Sequence, residues 1–566
     1  MPAKSRQGIG MKVSEAANGA GKLIHYDHGS KSLEDVAIQL ASDFVGSGNV
    51  CLIRGEGSFT SRAGAKSAAA ARYISIVHEP LASCMVRAED LQVARRQISD
   101  GELVEPEVLP TVLPLFLLNG VRCGISVGFN AMFVPFAPFD VLAATRAFAE
   151  LGAALRRRGS SAGASSWLQE GTAAGIAEAK QFLDRFWAMR MHFVGFGGRV
   201  EASVRGDKAR VTVRGSLRCT GTVGRSGVVI QIEDLPCTVF ADTVESVLSP
   251  GTKEAAPWIK DMNNGLCKAQ VQYTLRCDAE GVYREAGLDP LNATWNDLNA
   301  PGPRAKLERC LGLENAQNLT QFNLSLASGA VVSEDDLLSV FMRWADVRME
   351  VYERRHRYSL DLIRFHATRA SQRARYIREI RSGALSPQAF GTVAELEAEL
   401  AAMGFRPDVE LREPSLPSRE LLDNDSDDED EEAGVEADGD HLDDEEESKK
   451  GEPVGTYSHL IELRTADLTL ARAQQLERAA SGHEEVHEQL RKIRPVDLWI
   501  QDIRQLEPEL ARYQRDRAHR KSYEPTDKEL RPSDVVPTKP LPSVDSTSSK
   551  FSVPDSGAGV GSSTGT

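Results

Sequence analysis

None of the eight cysteines in this 566-residue chain falls in a CxxC spacing. Cys51, Cys84, Cys123, Cys219, Cys237, Cys267, Cys277 and Cys310 stand singly, which argues against a structural zinc site and for free thiols in a reducing compartment. No metal-ligating set is nominated. Long apolar runs are missing too. The longest, residues 108–116, is broken by Pro110 and Pro114 and falls short of the roughly 18–20 residues of a membrane span. The first ten residues lack the apolar core of a secretory signal, so a soluble, intracellular chain is expected. Lysine and arginine are absent from residues 423–447, which hold 16 Asp and Glu. The net charge of −15 is therefore local, and without that block the rest of the chain sits at about +1. An evenly acidic protein would be a poor partner for nucleic acid. Here the acidity is one detachable block, and DNA stays open.

What is present supports folded domains. Hydrophobic residues make up 41% and charged residues 26% of the chain, which is ordinary for cored proteins. At roughly 150 residues per domain the length suggests three or four. Residues 407–455, rich in Asp, Glu, Pro and Ser, read as an internal loop, and residues 511–566 as a basic, then Pro-, Ser- and Gly-rich tail. Both have too few apolar anchors to offset the entropy of ordering.

Residues 331–381 contain neither Gly nor Pro. Leu337, Trp344, Val351, Tyr358 and Phe365 recur every seven positions, with Phe341 and Leu362 at the partner position. The spacing predicts a long helix with a packing seam, about 70 Å at 1.5 Å per residue. Arg348, Arg355 and Arg369 interrupt the second seam row. A second helical stretch covers 467–494, with Pro495 as its stop. The pair predicts an antiparallel coiled-coil arm, and a helical bundle fits the same pattern. Residues 199–247 and 269–275 alternate apolar and polar and read as strands and hairpins. Residues 32–46 carry Leu33, Val36, Ala37, Leu40 and Phe44 at helical spacing.

The richest chemistry lies in residues 55–76, GEGSFTSRAGAKSAAAARYISI. A Gly- and Ser-rich loop carries Arg62 and Lys66, an Ala-rich stretch follows, and Arg72 stands beside Tyr73. A phenol with a pKa near 10 is a weak nucleophile, and attack on a phosphodiester requires neighbours that favour the phenolate and neutralise the phosphate. A guanidinium does both, because it stays charged and grips phosphate with two donors. Residue types and spacing equally allow a half-buried helix tyrosine with solvated cations around it.

This segment resembles the active-site stretch of type IIA DNA topoisomerases, in the eukaryotic topoisomerase II form. There a Phe-bearing loop with Arg and Gly-Lys leads through an Ala run to an Arg-Tyr pair. Upstream, HYDHGSKSLEDVAIQLASDFVGSGN is similar to the family's Tyr-His-His-Gly region, with Tyr26, His28 and Gly29 matching and Asp27 in place of the first histidine. Downstream, LPLFLLNGVRCGISVGF is similar to the Asn-Gly to Gly-Ile segment. DLPCTVF, WIKDM, NLTQFNLSL, the stretch from Arg348 to Arg355 and IRPVDLWIQDI continue the match in order. The loop is one residue shorter than the family's, Thr60 replaces a Gly, and Arg122–Cys123 adds a residue before Gly124.

The resemblance implies the breakage–reunion region of an isomerase, similar to the gyrase polypeptide that cleaves DNA, with an α+β multidomain fold. The expected parts are a winged-helix DNA cleavage domain at 11–109, lacking its first helix, and a β-rich tower at 110–325. A coiled coil with a helical dimer gate follows at 326–407 and 456–507, with an acidic loop at 408–455 and a tail at 508–566. It implies Tyr73 as the nucleophile and Arg72 as its phosphate-stabilising neighbour. Arg62, Lys66 and His28 would contact DNA, and Ile125 would wedge between base pairs and bend the duplex. A homodimer, double-stranded DNA and a nuclear location are implied as well. Mg²⁺ and ATP belong to the complete enzyme and are expected outside this chain, since neither the ATPase nor the TOPRIM metal-binding domain is recognisable. Those parts would come from a partner polypeptide or from upstream sequence. A non-catalytic dimeric DNA-binding scaffold is the competing reading.

Overall fold

Residues 138–157 set the centre of the fold. Their sequence, PFDVLAATRAFAELGAALRR, puts apolar or small side chains on most faces, and the helix Pro138–Arg157 is buried along most of its length. A helix apolar nearly all round belongs in a core. Phe148 lies within 5.0–6.2 Å, centroid to centroid, of Trp167, Phe182, Phe341 and Trp499. These side chains come from widely separated segments, so one core joins Leu81 and Met85, Val112 to Leu118, the foot of a long helix and the last helix. The structure, a computed structural model, describes residues 10–24, 26, 29–99, 102–126, 129–205, 208–221, 227–237, 239–265, 271–319, 322–325, 330–411, 413–414 and 457–521.

The N-terminal module is small. Helices Val13–Leu23 and Ser30–Ala41 pack on each other beside a sheet in which Ser75–His78 lies between Met11–Lys12 and Ile53–Glu56. Val13, Ile38, Ala71 and Ile74 form its core. A separate β-rich module is built on an antiparallel sheet in the order Ser216–Gly221, Gly227–Asp234, Tyr273–Asp278, Ile259–Asn264. Val228, Ile230 and Ile232 alternate inward as period-two patterning requires, and pack with residues of Ala241–Leu248, Ala279–Ala286 and Pro301–Cys310. A second sheet, Arg199–Arg205, Lys208–Arg214 and Glu314–Leu319, is fastened to this module by the buried carboxylate of Glu308. That carboxylate accepts hydrogen bonds from Arg199 at 2.9 and 3.0 Å and from Arg304 at 2.9 Å.

The helix Leu337–Ser382 has 46 residues, about 69 Å of rise. Asp336 caps it by accepting from the Ser339 N–H at 2.7 Å, and Gly383 closes it in the left-handed region at φ 80°. The helix Leu470–Lys492 returns antiparallel to it, with His356 facing the Leu490 carbonyl and Arg378 paired with Glu477. Tyr376, Leu385, Leu396, Leu400, Phe405, Tyr457 and Leu460 form a separate core at the tip. Pro495 then opens the helix Pro495–Lys521. Cys51, Cys84, Cys219, Cys237, Cys277 and Cys310 are free thiols. Among the described residues no helix is long and apolar enough to cross a membrane.

Five expectations shift. The long helix starts at Leu337, not 331, because Val331–Glu334 pairs with Phe322–Ser325 as a strand before the Asp336 cap. Its heptad residues do not share one partner: Phe341 and Trp344 enter the central aromatic cluster, while Tyr358 and Phe365 line a cleft with Arg406, Glu410, Leu411 and Pro414. Arg348 breaks the seam because it pairs in the interior with Asp90 at 2.7 Å. The amphipathic helix read over 32–46 ends at Ala41, and Ala241–Leu248 is helix where strand patterning was read. The expected tail begins as structure, since the last helix continues to Lys521 with Tyr513, Gln514, Arg517 and Ala518 buried.

Candidate active site

Residues 57–74 connect the paired strands Ile53–Glu56 and Ser75–His78. Two glycines let the connection fold tightly. Gly57 sits at φ 117°, where only glycine is at ease, and a Cβ on Gly55 would fall 2.6 Å from the Phe59 ring. The loop is stitched to itself: the Ala69 N–H donates to the Ser58 carbonyl at 2.8 Å, and the Ser61 N–H to the Ser67 hydroxyl at 2.9 Å. Its exit is anchored by Ala71 and Ile74, 5% and 1% exposed. Arg72 and Tyr73, between these anchors, face solvent.

Tyr73 is 67% exposed. The Arg72 guanidinium carbon lies 4.7 Å from its ring centroid, within cation–π range. The Tyr73 carbonyl accepts a hydrogen bond from Lys12 Nζ at 3.3 Å. Two cations therefore attend the phenol-bearing turn. Lys12 was not foreseen, since its approach depends on strand pairing across 61 residues. Lys66 is exposed on the same loop, with no ion pair among the described residues. His28 lies outside the described residues. Ile125 is placed by its backbone alone, in the hairpin Val121–Ser126 with Phe129–Phe133, opposite Asn130.

Arg62 requires a correction. Expected to touch DNA, it is 3% exposed and turned inward. Its guanidinium donates to the carbonyls of Val45 at 3.1 Å, Leu235 at 2.8 Å and Pro236 at 3.2 Å, and lies 3.5 Å from the Asp234 carboxylate. Burial pushes the Asp234 carboxyl up, and Arg62 offsets this only in part. The backbone of Arg62 and Ala63 receives the N–H groups of Ala241 and Asp242. Beside this joint Gly46, at φ 93°, passes so near the Cys237 carbonyl that a Cβ would sit 2.3 Å from it. Arg62 thus welds the loop to the β-rich module.

The last helix braces the site from beneath. Arg517 donates to Asp43 at 2.9 and 2.7 Å, to the Asn49 carbonyl at 2.8 Å and to the Gly48 carbonyl at 3.0 Å. The Cys51 N–H donates to the Tyr513 hydroxyl at 2.8 Å. Burial works against the Asp43 charge, but Arg517 and Lys521 outweigh it and hold the carboxyl below its ordinary range. The braced residues lead directly into the strand Ile53–Glu56. No cluster of three or more His, Cys, Asp or Glu able to hold a metal ion occurs among the described residues. Glu56, across the sheet from Ser75, is 3.5 Å from Arg54. The side chains at hand do not by themselves make a Mg²⁺ site.

Comparison with known proteins shows what the chain is similar to. The family of DNA gyrase/topoisomerase IV A subunits matches residues 6–156. DNA topoisomerase 2 of Saccharomyces cerevisiae is 25% identical over 513 residues, covering 88% of this chain and 31% of that protein. DNA topoisomerase 2-alpha of Sus scrofa is 22% identical over 506 residues, covering 87% and 28%. The solved DNA-binding, cleavage and re-ligation domain of Plasmodium falciparum topoisomerase II aligns with a TM-score of 0.64 at 19% identity, over 91% of this chain and 60% of that one. The chain is similar to type II DNA topoisomerases over most of its length. The chain spans about three tenths of the length of the curated relatives it matches. Its mixed α and β architecture is that of the solved cleavage domain.

Proposed function

We propose that the chain is the DNA breakage–reunion part of a type II topoisomerase, with Tyr73 as the nucleophile. The observation that carries this is the setting of Tyr73: 67% exposed, with the Arg72 guanidinium 4.7 Å from the ring, on a turn pinned by buried neighbours. The phenolic oxygen attacks phosphorus, the bond to the 3′ oxygen breaks, and that oxygen leaves with a proton as a 3′ hydroxyl. A 5′-phosphotyrosyl ester results. The reverse attack by the 3′ hydroxyl restores the strand and frees Tyr73. One ester is exchanged for another, so rejoining needs no outside energy. Arg72 neutralises the phosphate as charge builds on its oxygens, and Lys66 holds the backbone beside it.

On this reading the N-terminal module is the winged-helix cleavage domain, the β-rich module belongs to the tower, and the antiparallel helices with their tip form the coiled-coil arm and dimer gate. Two such chains would cut both strands of one duplex and pass a second through the break. His28 and Ile125 keep their assigned roles toward DNA, and Arg62 becomes a positioning residue. Mg²⁺ and ATP are assigned to parts of the complete enzyme beyond this chain, and the nucleus is the expected location.

The test is to trap covalent DNA. The chain is mixed with a TOPRIM-bearing type II partner polypeptide, Mg²⁺ and DNA, and quenched with detergent. Wild type is expected to retain protein on 5′ ends, and Tyr73→Phe to retain none. Equal trapping by both, or none by wild type, overturns the assignment and favours a non-catalytic scaffold. Robust cleavage by the chain without the partner contradicts the need for one.

A further inference from the structure

The long helix is strongly cationic, with eleven arginines and five acidic residues in Leu337–Ser382. Many of these arginines are spent. Arg348 and Arg355 are paired with Asp90 and Asp502, Arg343 with Glu334, and Arg378 with Glu477. Others face a cleft of about 820 Å³ between the middle of this helix and residues 406–414. Within it Glu350 is taken by Arg95 and Arg354, and Glu353 lies 3.5 Å from Arg156. Arg357, Arg364 and Arg406 remain exposed and have no ion pair among the described residues. These three guanidinium groups share the surface with the carboxylates of Asp361 and Glu410, beside Tyr358.

We propose that this cleft is the docking site for the acidic segment 423–447 of the same chain. Three observations support that occupant. Leu411 and Pro414 themselves line the cleft, so the chain leads away from its wall. Asp423 follows nine residues later, a reach of up to about 30 Å. The far end of the insertion is fastened close to its near end, because the Ser458 N–H donates to Asp408 at 2.6 Å and His459 contacts the same carboxylate. A segment tethered at both ends beside a site meets it at an effective concentration near the millimolar range. Finally, 16 carboxylates without one cation complement guanidinium groups, which take carboxylates in paired hydrogen bonds. A DNA duplex fits less well. It presents a rigid charge about every 1.7 Å, whereas a tethered peptide chain can set its carboxylates on the three arginines and bend away from Asp361 and Glu410. The proposal does not depend on Tyr73 being a nucleophile.

The experiment uses a fluorescent synthetic peptide of residues 422–447 and a full chain whose residues 423–447 are replaced by an equal length of Gly and Ser. The peptide is expected to bind that chain, and to bind the intact chain at least about tenfold more weakly because its own segment occupies the cleft. R357Q/R364Q/R406Q in the replaced chain should weaken binding at least about tenfold, and added salt should weaken it further. These three side chains are exposed, and circular dichroism confirms that the variant is folded; the comparison of intact with replaced chain needs no arginine substitution. Equal peptide binding by the intact and replaced chains overturns the proposal, as does binding indifferent to the arginines. A short duplex held by these arginines when the peptide is not would make the cleft a nucleic-acid surface and also overturn it.

Discussion

Ending the chain after Leu510 rather than after Lys521 should release the strand that leads into the Tyr73 loop. The shorter chain loses Tyr513, Gln514 and Arg517, all buried against residues 43–51. Arg517 alone makes four hydrogen bonds of 2.7–3.0 Å to Asp43, Gly48 and Asn49. Removing one partner of a buried ion pair costs about 3–5 kcal/mol, mostly because the other charge is stranded. Asp43 would be that charge, so truncation should weaken local structure by at least that much, more than a hundredfold in the opening equilibrium. A multidomain chain has no single unfolding free energy, so the measurement is amide hydrogen exchange of residues 43–56. Fast exchange is expected in the chain ending at 510 and native protection in the chain ending at 521. Arg517→Met should reproduce most of the loss. Equal protection in both truncations would refute the brace and restore the reading of everything past residue 510 as tail.

Three further outcomes follow from single sites. Asp43 is held below its ordinary 3.8, so its contribution is fully present above about pH 4 and is lost as pH falls through the depressed folded value. Protection of residues 43–56 should therefore be level from neutrality to about pH 4 and drop below it, and Asp43→Asn should lower it at neutral pH and flatten the profile. A profile unchanged in Asp43→Asn would remove Asp43 from the account. Arg62→Met should raise hydrogen exchange across the 57–74 loop while leaving the long helix unchanged, with Arg62→Lys partly restoring protection; an unaffected loop would mean that the weld carries no strain. Gly152→Val should raise amide hydrogen exchange in the helix Pro138–Arg157 by the equivalent of about 1–3 kcal/mol, because overpacking outweighs the gain of roughly 1 kcal/mol or less in helix propensity. A Cβ there would meet the Trp167 ring at 2.1 Å, and unchanged exchange of that helix would show that this packing yields.

Much of the fold and the candidate site was legible because its signals are local. Glycines next to a bulky ring, a run of alanines and an Arg-Tyr pair mark the Tyr73 turn within 22 residues of sequence. Period-two patterning marked Gly227–Asp234, and a stretch without Gly or Pro marked the long helix. The exposure of Tyr73 follows from its neighbours, since Ala71 and Ile74 turn inward and leave residues 72 and 73 outside. The roles of charged residues were not legible in this way. An arginine reads the same in sequence whether it meets phosphate or a buried carbonyl. Arg62 takes its partner from 173 residues away, Lys12 reaches the Tyr73 backbone across 61, and Arg517 meets Asp43 across 474. The stretch RYQRDRAHRK looks like solvated tail by composition, yet its buried face closes on residues 43–51. Local spacing decides which way a side chain points along its own helix or strand. Only the folded chain decides what stands opposite, and for a charged group that opposing atom sets the energy.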